Sequence, residues 1–232
     1  MEYDSLFEWY PFFTEDPVSL PVEAKLLENN IAYMKINSFS ENQNLTAQVF
    51  EHYIQNLIDS DINSLIIDMR VNGGGSGGLA DDFAEYFINQ EMEISRRASY
   101  NHDLGEFEYG DEPKKIEPAP LYYEGKIVVL VSPSCISACE GFAYLLTLND
   151  RATIVGHAGT AGAYGDVGLG QYTLPGDLDL QFPTGRPETM DGQLLIEGTG
   201  VLPDVTVPVT YESALGLEDA VLDAAIKILT GN

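Results

Sequence analysis

The sequence predicts an α/β fold built on a mainly parallel sheet, because short apolar strands and amphipathic helices alternate along it. Strands are predicted at residues 31–36, 65–69, 126–131 and 153–155, where apolar and β-branched residues are concentrated. Strands that alternate with helices form parallel sheets whose following loops gather at one edge, where functional sites usually lie. The loops after these strands are therefore the expected location of a site.

Four helices are predicted between and after these strands. Apolar residues recur at helical spacing from residue 45 to 58, and a second amphipathic segment runs from about 79 to 89. A third helix is predicted from residue 137 onward, and a fourth over residues 213–230. Each helix but the last is thus flanked by two predicted strands, as in successive β-α units.

Two stretches depart from this alternation. Residues 92–123 are polar and rich in Tyr and Pro, which predicts a long excursion away from the core. After Gly156 the pattern changes to short strands separated by turns, at residues 171–174, 178–182 and 193–196. This second pattern predicts an added small β region.

Residues 1–29 are predicted to be a lead-in segment or the remnant of a preceding domain. Six aromatic residues and three prolines fall within residues 1–24, yet they follow neither a helical nor a strand period. Such a segment cannot form a core of its own and is expected to pack on the rest of the chain. Residues 30–232 are long enough to form one domain with a sizeable core.

The charge balance excludes some partners. The chain has 11 basic and 37 acidic residues, a formal net charge of -26, and such a surface repels nucleic acid and anionic membranes. No apolar run approaches the roughly 20 residues needed to span a bilayer, and the first residues lack a signal-peptide pattern. No Cys/His group has metal-ligand spacing, so neither a metal nor a cofactor is predicted.

The two cysteines lie four residues apart, which is not the Cys-x-x-Cys spacing of redox or zinc sites. Cys135 and Cys139 flank the predicted start of the third helix. Two small buried thiols are the favoured interpretation, and a bridge across the helix start is the alternative. The redox compartment cannot be read from this spacing.

Ser137 is the candidate nucleophile. The segment from Ser134 to Phe142 follows a buried strand and opens an apolar helix, so it places a side chain at the helix N-terminus. The free amides there can stabilise an oxyanion. The competing interpretation is a capping box between Ser137 and Glu140, and Ser134 is the competing serine.

Two glycine-rich turns accompany this serine. Residues 66–75 run from a strand into Gly73-Gly74-Gly75, and residues 196–204 form a second turn closed by Pro-Asp. Asp68 and Arg70 flank the first turn and are predicted to pair. In this order and at this separation, the three segments resemble peptidase family S41, which includes the C-terminal processing proteases and the tricorn-core proteases. The resemblance covers roughly residues 30–230 and implies the family's ClpP/crotonase-like spiral ββα core.

The resemblance also implies roles for particular residues. In the family pattern Ser-Ala-Ser/Ala-Glu the first serine attacks, and this chain departs from it only at Cys139. The amide of Ala138 would be one oxyanion donor and that of Gly74 the other. Glu197, in a Glu-Gly-x-Gly-x-x-Pro-Asp turn 60 residues after Ser137, matches the glutamate of the tricorn-like branch.

The general base is the missing element. Processing proteases use a lysine about 25 residues after the serine, and this chain has none there, so composition excludes the Ser–Lys type. The Ser/His/Glu type remains, with His157 as the internal candidate for the base because it follows the strand after the nucleophile helix. His52 lies on the first predicted helix, and His102 lies in the polar excursion. In the tricorn-like branch the histidine comes from a segment ahead of a PDZ-like domain, which would precede this chain.

These observations together predict a serine endopeptidase core that acts on peptides or proteins. The alternative is a catalytically inactive S41-like domain that binds peptides or serves as a scaffold, because no base is evident. The resemblance implies an extracytoplasmic or secreted location.

Overall fold

The computed structural model describes residues 21–40, 42–110, 112–167 and 170–231. Most of the predicted lead-in lies outside these residues. Its last part does not: Val22–Leu27 forms a strand paired in antiparallel register with Ile31–Ile36. The sheet therefore starts before residue 30, where the sequence placed the beginning of the core.

Within the described residues there are twelve strands and five α-helices. The strands are Val22–Leu27 (β1), Ile31–Ile36 (β2), Ser64–Asp68 (β3), Met92–Asn101 (β4), Glu106–Tyr109 (β5), Lys114–Ile116 (β6), Lys126–Leu130 (β7), Thr153–Gly156 (β8), Gln171–Leu174 (β9), Leu178–Gln181 (β10), Gly185–Glu188 (β11) and Val205–Thr206 (β12). The helices are Gln43–Asp59 (α1), Gly77–Glu85 (α2), Ala138–Thr147 (α3), Tyr211–Ala214 (α4) and Ala220–Thr230 (α5).

The central sheet has six strands in the order β1-β2-β3-β7-β8-β12. All neighbouring pairs are parallel except β1 with β2. This confirms the predicted α/β fold with a mainly parallel sheet. Because β3 and β7 are adjacent and parallel, the loops that follow them leave the sheet side by side.

Helices cover both faces of this sheet, and the strands alternate their side chains between them. Ile67 and Val129 point to the core shared with α1, α2 and α3. Ile66 and Val128 point to the opposite core, where Val221 of α5 packs. These strands are buried on both sides, which explains why their sequences are continuous apolar runs rather than alternating ones.

The polar excursion forms a second, smaller sheet. Strand β4 pairs with β5, β6 and β11, so residues 92–123 are ordered partly by a strand that follows much later in the chain. The hairpin β9–β10 stands apart from both sheets. These strands make up the added β region that the sequence predicts, with one difference: the third strand is 185–188, and residues 193–196 form no strand.

The predicted C-terminal helix is two helices. Helix α4 ends at Ala214 and α5 starts at Ala220. Gly216 lies between them with φ of +68°, a left-handed conformation that interrupts the helical path. The longer helix α5 then packs on the sheet through Val221 and Ala225.

Candidate active site

The glycine turn after β3 and the serine turn after β7 are in direct contact. Gly74 has φ of +92°, and a Cβ placed on it would lie 2.6 Å from the carbonyl oxygen of Ile136 and 3.0 Å from Cβ of Ser137. Only glycine fits there, since any side chain would displace the serine turn. The paired ends of two parallel strands thus bring Gly74 against the candidate nucleophile.

Ser137 itself has an unusual backbone conformation, with φ of 57° and ψ of −118°. A non-glycine residue in such a region costs on the order of 1–3 kcal/mol and persists only where its surroundings enforce it. Helix α3 begins at the next residue, Ala138, so the side chain of Ser137 stands at the positive end of the helix dipole. Strain of this kind is concentrated at functional positions.

Glu140 fastens the serine turn to the loop that follows β8. Its carboxylate is fully buried and accepts hydrogen bonds from the amide of Ser137 (3.0 Å), the hydroxyl of Thr160 (2.7 Å) and the amides of Gly162 (2.6 Å) and Ala163 (2.9 Å). The bond to Ser137 is the backbone half of the predicted capping box. Capping and nucleophilic roles are therefore compatible at this turn.

The same loop holds Glu197. One carboxylate oxygen of this half-buried residue accepts a hydrogen bond from the amide of Tyr164 at 2.6 Å. The next amide after Glu197, that of Gly198, bonds the carbonyl of Gly162 at 2.8 Å. Loop 160–164 thus bonds both Glu140, which holds the Ser137 amide, and Glu197, so it joins two turns that are distant in sequence.

Ser137 and Ala138 open onto a cleft of about 780 Å³ between the central sheet and the small sheet. This volume suits a ligand of moderate size. Its wall is formed by the starts of α2 and α3, the end of the loop after β8 and the small sheet; the residues are Gly75, Gly77, Gly78, Asp81, Ser95, Arg97, Gly110, Glu112, Pro113, Lys114, Ser137, Ala138, Tyr164, Gly165, Asp166, Val167 and Pro187.

Two ion pairs lie in the cleft. Lys114 contacts Asp81 at 2.6 Å, and Arg97 bonds Asp166. The sequence analysis did not identify these residues as part of a site. Lys114 and Arg97 come from the polar excursion and Asp81 comes from α2, and neither segment contains a recognisable motif. The place of Lys114 and Arg97 in the cleft follows from the pairing of β4 with β6 and β11.

Tyr164 is another residue that sequence reasoning missed. Burial and the nearby charges of Asp81 and Glu140 raise the pKa of its hydroxyl to about 12, so it stays protonated at neutral pH. A Cβ on Gly141 would lie 2.8 Å from this hydroxyl oxygen. Alanine is favoured over glycine inside a helix, so a glycine at position 141 of α3 was the one feature of the sequence that indicated close packing of another side chain there.

The predicted oxyanion donors differ in their present contacts. The amide of Gly74 donates to Oδ1 of Asn72 at 2.8 Å, and the buried side chain of Asn72 donates in turn to the carbonyl of Ile36. Ala138 lines the cleft as the first residue of α3, where helix amides lack intrahelical partners. A role for Gly74 in an oxyanion hole requires its amide to exchange Asn72 for the substrate.

The structure does not bring a histidine to the cleft. All three histidines lie in described segments and none is among the residues that line it. Nδ1 of His157 is 2.7 Å from the carbonyl of Val207, which packs in the α5 core. His52 and His102 are exposed. Glu197 is linked to the serine turn only through loop 160–164, and His157 lies elsewhere in this conformation.

Cys135 and Cys139 form a disulfide, whereas the sequence analysis favoured two buried thiols. The conformation of Ser137 turns the chain so that the two Cα atoms are 5.4 Å apart, within the range of disulfides. The spacing in sequence could not reveal this turn. The predicted pairing of Asp68 with Arg70 is confirmed, and Arg70 also bonds Asp219 at the start of α5.

A serine that stands at a constrained strand-to-helix turn and opens on a cleft is an arrangement found in serine hydrolases. The chain belongs to peptidase family S41, whose family model matches residues 30–207. The family predicted from the sequence is therefore confirmed. In the described residues, no helix is long and apolar enough to cross a membrane.

Two curated relatives illustrate the similarity. A carboxy-terminal-processing protease of Bartonella bacilliformis is 28% identical over 186 residues, covering 78% of this chain and 39% of the relative. A carboxyl-terminal-processing protease of a Picosynechococcus species is 29% identical over 229 residues, covering 94% of this chain and 50% of the relative. The chain thus spans half or less of these proteins.

Solved structures confirm the fold. A putative peptidase from Parabacteroides merdae superimposes with a TM-score of 0.71 at 22% identity, covering 98% of this chain and 70% of that one. Mature CPAF gives 0.67 at 18% identity, with 90% and 53% covered. The tricorn protease gives 0.53 at 20% identity, with 86% and 17% covered.

Proposed function

We propose that this chain is the catalytic core of a serine endopeptidase that cleaves peptides or proteins, with Ser137 as nucleophile. The observation that carries the proposal is the constrained turn at Ser137, which opens on the cleft while Glu140 ties it to the loop that holds Glu197. Peptide substrates suit a cleft that is open, of mixed polarity and bordered by two ion pairs.

In this mechanism the hydroxyl of Ser137 attacks the scissile carbonyl carbon and the carbonyl oxygen becomes an oxyanion. The amide of Ala138 is the first donor to that oxyanion, since it lies at the positive end of α3. The amide of Gly74 is the second, after it releases Asn72. A preorganised donor of this kind is worth on the order of 10²- to 10³-fold in rate.

The base is a histidine oriented by Glu197 rather than a lysine. Lys114 lines the cleft, but its ammonium is engaged in an ion pair with Asp81. Loop 156–165 contains no lysine. We propose that the histidine comes from a segment ahead of this core, next to a PDZ-like domain. His157 is the internal alternative and would have to leave the Val207 carbonyl to act.

One set of observations favours the second candidate function, an inactive domain that binds or presents peptides. No histidine of the chain lines the cleft, and the amide of Gly74 is already satisfied by Asn72. A domain of this kind keeps the cleft but lacks the proton transfer, which is worth roughly 10²- to 10⁴-fold in rate.

We also propose an extracytoplasmic or secreted location. The supporting observation is the disulfide between Cys135 and Cys139, since disulfides form and persist in oxidising compartments. The strong negative charge supports partners other than nucleic acid.

A fluorophosphonate probe, which reacts only with activated serines, tests the proposal. We expect covalent labelling at Ser137 in the chain or in a longer form that includes any preceding segment. Ser137→Ala should abolish labelling, and the matched variant Ser134→Ala should keep it, because Ser134 is exposed before the helix. Absence of labelling in both forms, together with binding of an unstructured peptide, would support the inactive domain instead.

A further inference from the structure

The disulfide encloses the candidate nucleophile. Cys135 lies two residues before Ser137 and Cys139 two residues after it, and their bond closes a five-residue ring around the serine. Both cysteines are fully buried. One end of the bond is in the loop after β7 and the other is in the first turn of α3. The covalent link therefore spans the point where the chain adopts its unusual conformation.

Noncovalent contacts hold the outer sides of this ring. The carbonyl of Cys135 accepts a hydrogen bond from the amide of Ala161 at 3.0 Å, and the Ser137 amide bonds Glu140. Gly74 packs against the carbonyl of Ile136. These contacts fix the ring relative to the sheet and to loop 160–164. Across the turn itself, the Cys139 amide bonds the Ile136 carbonyl at 3.2 Å, and the disulfide adds a covalent link between the two ends.

A link between residues so close in sequence restrains the unfolded chain far less than one that closes a long loop. Its main effect in the folded protein is local, on the φ and ψ of Ser137. Since a serine does not adopt positive φ unless it is held there, the disulfide is placed to maintain the geometry of the nucleophile.

We infer that the Cys135–Cys139 disulfide is a positioning element for Ser137 and makes the peptidase sensitive to reduction. The inference rests on the proposed function of Ser137. In the reductive step, a dithiol such as dithiothreitol supplies two electrons and two protons. The sulfur–sulfur bond breaks, Cys135 and Cys139 become thiols, and the dithiol becomes a cyclic disulfide. Released from the ring, Ser137 loses its fixed orientation toward the cleft.

The experiment compares oxidised protein, dithiothreitol-reduced protein and the double variant Cys135→Ser/Cys139→Ser, in the longest form of the protein that is active. Thiol titration in denaturant should find no free thiol before reduction and two after it. With an unstructured protein as substrate, kcat should fall at least about tenfold on reduction with KM nearly unchanged, since a misplacement of about 1 Å can cost on the order of 10²-fold. Reoxidation should restore kcat, and the double variant should be slow and insensitive to dithiothreitol.

A second measurement decides the inference even in a protein without turnover. Hydrogen exchange of the amides in residues 135–141 should be faster in the reduced protein, while α5 exchanges as before. Two free thiols in the native protein, equal kcat in both redox states, or unchanged exchange at residues 135–141 would each overturn the inference. Lack of turnover in every form, with faster exchange on reduction, would instead contradict the proposed function and leave the positioning role supported.

Discussion

The substitution Gly74→Ala tests the contact on which the whole site depends. Alanine at φ of +92° incurs a backbone cost of about 1–3 kcal/mol. Its methyl group would also lie 2.6 Å from the Ile136 carbonyl oxygen, well inside contact distance, and forcing an extra carbon into a packed site costs about 1–3 kcal/mol more. We expect a loss of about 2–6 kcal/mol in the free energy of unfolding, measured by urea denaturation.

The effect on activity should exceed the effect on folding at low denaturant. The clash pushes the Ile136–Ala138 segment, so the variant either displaces Ser137 or keeps it in place by distorting the glycine turn. A shift of about 1 Å in the nucleophile reduces turnover on the order of 10²-fold. The assay is the rate of fluorophosphonate labelling at Ser137 under conditions where circular dichroism shows the variant to be folded.

Gly73→Ala is the matched control, one residue away. Gly73 is exposed, is absent from the residues with positive φ, and a Cβ on it would meet no atom within 4 Å. We expect unchanged labelling and stability equal to or up to about 1 kcal/mol above that of the parent chain. If Gly74→Ala labelled and unfolded like Gly73→Ala, the close packing of the glycine turn on Ser137 would be refuted.

Three further predictions concern the carboxylates. Glu140→Gln replaces a buried carboxylate that accepts four hydrogen bonds, so stability should fall by about 2–4 kcal/mol in urea titration and labelling of the serine should slow. Glu197→Gln should lower kcat by about 10²- to 10⁴-fold while the urea midpoint changes little, because this half-buried residue accepts one amide bond. Asp219 has a lowered pKa: burial raises it, but bonds from Arg70 and Leu222 outweigh burial. Its contribution to stability is therefore full above the ordinary pKa of 3.8 and lost as pH falls further, so Asp219→Asn should weaken the acid dependence of thermal unfolding.

The parts of the fold that could be predicted are those specified by local pattern. Strands β2, β3, β7 and β8 are buried on both faces, so their apolar runs stood out. Helix α1 followed from helical spacing, and α3 followed from an apolar run after a turn of small residues. Strand β11 could not be predicted, since it contains a proline and its ladder partner is β4, nearly ninety residues earlier by the register Gly185 to Ser99. Pairing partners so distant leave no local signal.

The candidate site divides in the same way. Ser137, Gly74 and Glu197 each stand in a short motif, and the structure brings these segments together. The charged pair Lys114–Asp81 has no motif and depends on where the small sheet lies. The disulfide forms because the backbone conformation of Ser137 brings the two cysteines together, and neither composition nor residue spacing predicts that conformation. Motifs in the sequence thus indicated the candidate residues, whereas the restraints that hold them are visible only in the structure.

Loop 160–164 is where those restraints converge. The Ala161 amide donates to the Cys135 carbonyl. The amides of Gly162 and Ala163 donate to the Glu140 carboxylate, and that of Tyr164 donates to Glu197. In the resemblance to the processing proteases, this is the region that supplies the catalytic lysine; here Ala163 lies 26 residues after Ser137 and contributes only its amide. A lysine ammonium would need space and a pKa lowered by burial to serve as a base. The loop of this chain instead uses main-chain donors to hold two carboxylates, those of Glu140 and Glu197.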